Sequence, residues 1–236
     1  LIISIVFTFF APLPHESFPH VPYFAFLLCG YLLWSYLVGA LVEGTQALLA
    51  NAHLIKKVSC PRLIFPLAMV LSHLFNTVLA FLVLLPGTYL VTGISVPWTC
   101  VLIVPLLILE TGLLVGLVWW LAGLNVLYRD VTQILEFITL AWFYITPIIY
   151  SIDLPMQSLA RLGGDWLVYL YLLNPMAILI YTARWVCLGI PTGDAFSIPS
   201  TMFIIALIVF ILVALIAPFA GRALFRRIEV RAADEL

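Results

Sequence analysis

Lys56, Lys57 and Arg62 crowd into one stretch, Leu54-Ile-Lys-Lys-Val-Ser-Cys-Pro-Arg62, between two long apolar runs. Outside it, no Lys or Arg precedes Arg129. Cations confined in this way can do two things. They fix which way a membrane protein faces, because cytoplasmic loops retain Lys and Arg, and they give a soluble partner a charged surface to push on. Glu110 poses a different question, since it lies within an apolar run beside Thr111-Gly112. An isolated carboxylate there is expensive and marks either a functional site or an acid hydrogen-bonded inside a helix bundle. His73 and Asn76 are one helical turn apart and suit cross-helix hydrogen bonds or a proton relay. No GxxxxGK[ST], HExxH or GxSxG pattern occurs, so the chain cannot hold ATP through a phosphate loop. His15, His20 and His53 lack partner spacing, and Cys29, Cys60, Cys100 and Cys187 form no CxxC pair. These cysteines read as small apolar residues, with neither a metal site nor a disulfide framework.

The elements that must position such residues follow from composition. The 236 residues are 65% hydrophobic and 9% charged, whereas soluble domains are roughly half apolar and about a quarter charged. Leu63 to Leu109 contains no Asp, Glu, Lys or Arg. One crossing of a bilayer needs roughly 20 apolar residues, so this run crosses more than once. A β-barrel would alternate polar and apolar positions in segments of about ten residues; the runs here are unbroken. The sequence therefore specifies an all-α, polytopic membrane protein, read as one domain over residues 1–236.

Leu1–Phe10 reads as the second half of a first span whose beginning is missing, followed by a proline-rich loop over Ala11–His20. Further spans are expected over Tyr23–Ala40, Leu63–Val91, Trp98–Gly123, Ile134–Tyr150 and Phe196–Ala220, the last followed by a charged tail. Trp166–Gly189 is interrupted by Asn174-Pro175 and Arg184, which suits a re-entrant helical hairpin better than a simple span. Charge tests that reading. With the Lys56-Lys57 loop inside and spans alternating, Arg129 and the tail arginines Arg222, Arg226, Arg227 and Arg231 also fall inside. Only Arg161 and Arg184 fall outside. A full crossing by Trp166–Gly189 would move the tail outside, against the positive-inside bias.

The motifs resemble those of type-2 ABC exporter permeases for polysaccharides and polyol phosphates, the O-antigen, capsule and teichoic acid exporters. Asn51-Ala-His-Leu-Ile-Lys-Lys-Val-Ser-Cys-Pro-Arg-Leu-Ile-Phe-Pro66 resembles their first cytoplasmic loop, and Leu124-Asn-Val-Leu-Tyr-Arg-Asp130 their second. Thr146-Pro-Ile-Ile-Tyr150 follows, then Leu173-Asn-Pro-Met176 with Arg184-Trp185 and Leu188-Gly189. The resemblance runs from about residue 22 to the end. Cys60 departs from it, standing where an aromatic residue is common.

The resemblance implies six spans, a homodimer around a central conduit, and a separate ATPase docked on the cytoplasmic face. The inner membrane would be the location, with the C-terminus cytoplasmic. ATP and magnesium would sit on the partner, with no cofactor in this chain. The substrate would be a lipid-linked glycan among membrane lipids, and no nucleic-acid partner is expected. Lys56, Lys57, Pro61 and Arg62, with Arg129 and Asp130, would couple to the ATPase. The same charges can also be explained entirely as topology markers, and Arg129-Asp130 as a capping pair at the bilayer surface. Pro61 favours a short stiff element.

Aromatic clusters at Tyr31, Trp34 and Tyr36, at Trp119-Trp120 and at Trp142-Phe143-Tyr144 suit interfacial belts. Sugar rings also stack on aromatic faces, so Trp142, Phe143, Tyr144 and Tyr150, with Glu110, are candidates for a translocation path. Gly112 and Gly116 form a GxxxG pattern for close helix approach, within the chain or between copies. Asn174, Pro175 and Arg184 would shape the re-entrant region. Export of drugs or small lipophilic molecules is the alternative within the family. Outside it stand an intramembrane lipid-modifying enzyme using Glu110 or His73, and a structural scaffold.

Overall fold

The computed structural model describes residues 23–57, 60–92, 97–128, 130–152, 155–156, 159, 165–189 and 200–232. Every regular element among them is helical. The order is α1 (Tyr23–Ala50), α2 (Ala52–Ile55), α3 (Ile64–Thr92), a 3-10 turn (Trp98–Leu102), α4 (Ile103–Leu127), α5 (Val131–Ile145), α6 (Asp165–Leu172), α7 (Pro175–Leu188) and α8 (Ser200–Ala232). The expected first span over Leu1–Phe10 lies outside the described residues.

Among the described residues, four segments are long and apolar enough to cross a bilayer: Tyr23–Ala50, Ile64–Val91, Trp98–Leu127 and Thr201–Glu229. The shortest has 28 residues, which at 1.5 Å per residue exceeds the ~30 Å hydrocarbon core. The pair α6–α7 adds a fifth apolar segment, bent by 76° at its break. Helix α5 is apolar but shorter, with 15 residues.

Element ends differ from the sequence expectation for identifiable reasons. Helix α5 stops at Ile145 rather than Tyr150, because Pro147 disfavours helical backbone at the residue before it. Helix α1 continues to Ala50 and α4 to Leu127. Neither Ala40–Ala50 nor Gly123–Leu127 holds a proline, and leucine and alanine favour helix. Helix α8 carries the charged tail as one continuous rod to Ala232, since Arg and Glu are good helix formers.

Two compact units share these helices. One gathers the chain up to Trp34, Leu79–Leu106 and Phe143–Phe210; the other gathers Ser35–Val78, Leu107–Trp142 and Ile211 onward. The first holds the break after α5 and the bent pair α6–α7. The second holds the basic loop and the charged end of α8. In the second unit, the small residues of α4 and α8 set the packing distance. A Cβ at Gly112 would stand 2.7 Å from the Ala214 carbonyl oxygen, and one at Gly116 would collide with the Ala217 backbone. Gly221 meets the Gly116 carbonyl in the same way. The GxxxG pair thus serves contact within the chain. Along α3 the exposed side chains include Phe75, Leu82, Val83 and Leu90, an apolar surface of the kind lipid covers.

Candidate functional site

Helix α5 ends where Thr146-Pro147 begins a stretch without regular structure, Thr146–Tyr150. Backbone without a helix inside a membrane protein must find partners for each carbonyl. Here the carbonyls of Thr146, Pro147, Ile148 and Ile149 each find one. The Tyr150 hydroxyl turns back on α5 and reaches the carbonyls of Tyr144 at 2.8 Å and Ile145 at 3.0 Å. The Thr146 carbonyl accepts from the Ile148 N–H at 2.8 Å. Arg184 of α7 donates to Pro147 at 2.8 Å and to Ile148 at 2.6 Å. Tyr23 of α1 donates to the Ile149 carbonyl at 3.0 Å.

Arg184 is only 4% exposed, and no carboxylate stands within ion-pair distance of it among the described residues. Its charge is stabilised by carbonyl dipoles instead. A third bond, from Nε, goes to the Phe26 carbonyl at 3.2 Å, and the Phe26 ring lies under the guanidinium at 3.5 Å. Gly30 makes room for this arrangement. A Cβ there would stand 2.7 Å from Arg184 Nη2 and 3.2 Å from Ile180 Cγ2.

Asn174-Pro175 has a local explanation. Asn174 caps α7 by accepting from the Met176 N–H at 3.1 Å, and Pro175 occupies the first helical position, where its missing N–H costs nothing. The Asn174 amide also donates to Thr146 Oγ1 at 3.1 Å, which ties the start of α7 to the break. The far end closes on Gly189, whose φ of 64° is the left-handed cap that glycine adopts freely.

The structure therefore brings Tyr150, Asn174, Pro175 and Arg184 together. Phe143 stands beside Trp34 in an edge contact with centroids 5.7 Å apart, and Tyr144 points outward, 66% exposed. Trp142 is half-buried and, like Glu110, belongs to the other unit. Glu110 is fully buried, and neither of its carboxyl oxygens has a hydrogen-bond partner among the described residues. The neighbouring Thr111 is engaged with the Tyr36 hydroxyl at 2.8 Å. His73 pairs with Glu43 at 3.0 Å rather than acting with Asn76. Tyr23, Phe26 and Gly30 were not expected at the break. Aromatics near a span end read as a belt, and only the fold shows that one of them serves a distant carbonyl.

In the second unit, the described part of the basic stretch begins in one helical turn. Helix α2 is a single turn after Asn51, whose side-chain amide returns to the Ala47 carbonyl at 2.8 Å. Lys56, Lys57 and Pro61 are exposed. Beneath them Leu48, Ala122, Val126 and Phe225 form a buried cluster, with Ile55, Leu63, Leu127 and Ile228 packed against it. Trp119 donates to the Leu63 carbonyl at 3.1 Å, and Arg62 faces Glu229 of α8 at 3.8 Å. Asn125 binds the Thr45 carbonyl and accepts from Thr132, both at 3.2 Å, linking α4 to α1 and α5. Asp130 is exposed, and Arg129 lies outside the described residues. Among the described residues, no group of His, Cys, Asp and Glu is arranged to hold a metal ion.

Long apolar helices and a broken segment whose carbonyls are served by side chains of other helices define a polytopic helical membrane protein. Its sequence is similar to those of O-antigen export system permease proteins. It is 27% identical to the one from Myxococcus xanthus over 72% of this chain and 62% of that protein. It is 26% and 25% identical to two from Klebsiella pneumoniae, each over 69% of this chain and 60% of the relative. The chain thus spans about three-fifths of the length of the curated relatives it matches. No family model matches it. The resemblance carried by the four motifs is borne out in these comparisons.

Proposed function

We propose that this chain is the transmembrane subunit of an ABC exporter that moves a lipid-linked polysaccharide across the inner membrane, driven by a separate ATPase. The observation that carries the reading is the similarity to O-antigen export permeases over some seven-tenths of the chain. In this reading the Lys56–Arg62 element takes the push of the ATPase, with the Arg129-Asp130 region beside it. ATP and magnesium stay on the partner. Six spans, a homodimer and a re-entrant α6–α7 complete the arrangement, with the C-terminus cytoplasmic. Sidedness is supported by the packing of Ile55 and Leu63 on the same cluster as Phe225 and Ile228, which draws the basic loop and the arginine-bearing end of α8 together.

The mechanism follows from stiffness. The helical turn Ala52–Ile55 is seated through Ile55 on the apolar cluster formed by α1, α4 and α8, and moves with them. A displacement of the exposed lysines is then passed to long helices rather than absorbed by a loop. At the other site the break after α5 gives the spans a joint whose carbonyls from Thr146 to Ile149 are served within the protein. The decisive experiment replaces Lys56 and Lys57 by Glu in the assembled transporter. Co-purification of the ATPase and export should each fall about tenfold or more, as expected for reversing a charge pair across an interface. Unchanged association together with unchanged export rules out this element as the coupling site.

A further inference from the structure

Helix α8 ends in arginines that the described residues leave unbalanced. Arg222, Arg226 and Arg227 are exposed, and none has a carboxylate within ion-pair distance among the described residues. Arg222 and Arg226 lie one turn apart on the same face, where like charges repel. Glu229, three positions after Arg226, is engaged with Arg62 instead, at 3.8 Å.

The sides of α8 differ in what they meet. Ala214, Gly221 and Phe225 are buried, and Ala214 and Gly221 mark the close approach to α4. On another side Leu212, Leu215 and Phe219 are exposed. Their spacings of three and four continue without a break into Arg222 and Arg226. One stripe of one continuous helix therefore runs from apolar to cationic. Arg222 and Arg226 are separated by about 6 Å along the axis. That matches the headgroup layer on one side of a bilayer, roughly 5–8 Å thick. With acyl chains along Leu212, Leu215 and Phe219, both guanidinium groups stand among the headgroups. Each presents a planar fork of donors that fits two phosphate oxygens. A zwitterionic lipid already pairs its phosphate with its own ammonium group, whereas an anionic one leaves that charge for the arginines.

We propose that Arg222 and Arg226 bind the phosphodiester of an anionic phospholipid whose acyl chains lie along Leu212, Leu215 and Phe219. The site rests on α8 being a membrane span and not on the exporter reading. In the orientation proposed above it belongs to the inner leaflet, whose anionic lipids attract basic residues just beyond a span. The bound phosphate offsets the repulsion between the two arginines and anchors the charged end of α8 at the membrane surface. Lys56 and Lys57 follow a single helical turn and have no such stripe leading to them.

The test titrates the full protein in detergent with phosphatidylglycerol or phosphatidylcholine and counts bound lipid on the intact protein by native mass spectrometry. Phosphatidylglycerol should bind at least about tenfold more tightly, and the preference should weaken as salt is raised. Arg222→Ala/Arg226→Ala should abolish the preference, at about fivefold for each arginine removed. Arg222→Lys/Arg226→Lys should keep part of it, which excludes misfolding as the cause of the loss. Lys56→Ala/Lys57→Ala removes as many charges elsewhere and should leave the preference unchanged. Equal binding of the two lipids by the wild type, or an equal loss in the Lys56/Lys57 variant, overturns the site. Inorganic phosphate lacks the chains that meet the apolar stripe and should displace little of the lipid; displacement as effective as that by phosphatidylglycerol overturns the lipid assignment. Arginine variants that bind phosphatidylglycerol normally but lose a protein partner would make this face a protein contact, and the proposal fails. The titration needs neither an ATPase nor a glycan, so failure of the exporter reading leaves its outcome untouched.

Discussion

Arg184 and Lys57 carry the same charge under opposite conditions, and the contrast separates two uses of a cation in this molecule. Lys57 is exposed on a loop and closes only its backbone turn, by an N–H bond to Leu54. Arg184 is buried and spends three donors on the carbonyls of Phe26, Pro147 and Ile148. An exposed lysine is free to meet another protein. A buried guanidinium in such a cradle completes the backbone of a segment that has no helix to do so. The difference also bears on topology. Arg184 counts against the positive-inside bias only if it is a loop charge, and its place within α7 removes it from that tally.

The strongest way to break the comparison is to replace Arg184. Arg184→Met should leave the Pro147 and Ile148 carbonyls of the break without partners, at about 1–3 kcal/mol for each unsatisfied buried group, while the Phe26 carbonyl keeps its bond within α1. We expect loss of folded protein in detergent, measured as a collapse of the monodisperse chromatographic peak and of its thermal midpoint. Arg184→Lys keeps the charge but loses the planar fork that reaches adjacent carbonyls. It should recover only part of the stability. Full recovery with Lys would show that charge alone suffices, and the distinction drawn here would fail.

A smaller effect sharpens the description of the break. Tyr150→Phe removes the donor shared by the last two carbonyls of α5, and Asn174→Ala removes the cap of α7. Each should cost about 1 kcal/mol, read as a modest fall in thermal midpoint with the protein still folded. Because Asn174 and Arg184 hold the same segment from one helix, the double variant Tyr150→Phe/Asn174→Ala should lose more than the sum. Additive losses would mean that the break is not a cooperative unit.

Much of this arrangement was legible before any coordinates. The uncharged run from Leu63 to Leu109 dictates repeated crossings, and Asn174-Pro175 marks an interruption of Trp166–Gly189. The stop before Thr146-Pro147 is passed over, since the apolar run continues to Tyr150. What stayed hidden are contacts between residues far apart in sequence. Tyr23 and Ile149 are 126 positions apart, and Arg184 and Phe26 are 158 apart. No periodicity relates such residues. Gly30 gave no sign either, since a lone glycine in an apolar span has no preferred reading.

The smallest effect concerns the charged pair at the other site, where Arg62 Nε lies 3.8 Å from Glu229 Oε1. Both side chains are partly exposed, 26% and 38%. Solvent screens such a pair, and its contribution to folding should be about 0–1 kcal/mol. A double-mutant cycle of Arg62→Ala and Glu229→Ala should therefore give a coupling energy near the lower end of that range. The pair joins the proline-stiffened loop to the far end of α8, so its role in transmitting motion can exceed its role in stability. Glu229→Ala should then lower the export rate per ATPase bound while leaving the thermal midpoint within about 1 °C, the shift expected for a change of a few tenths of a kcal/mol. A midpoint drop comparable to that of Tyr150→Phe would place the pair among the supports of the fold. Its resemblance to the free cations Lys56 and Lys57 would then end there.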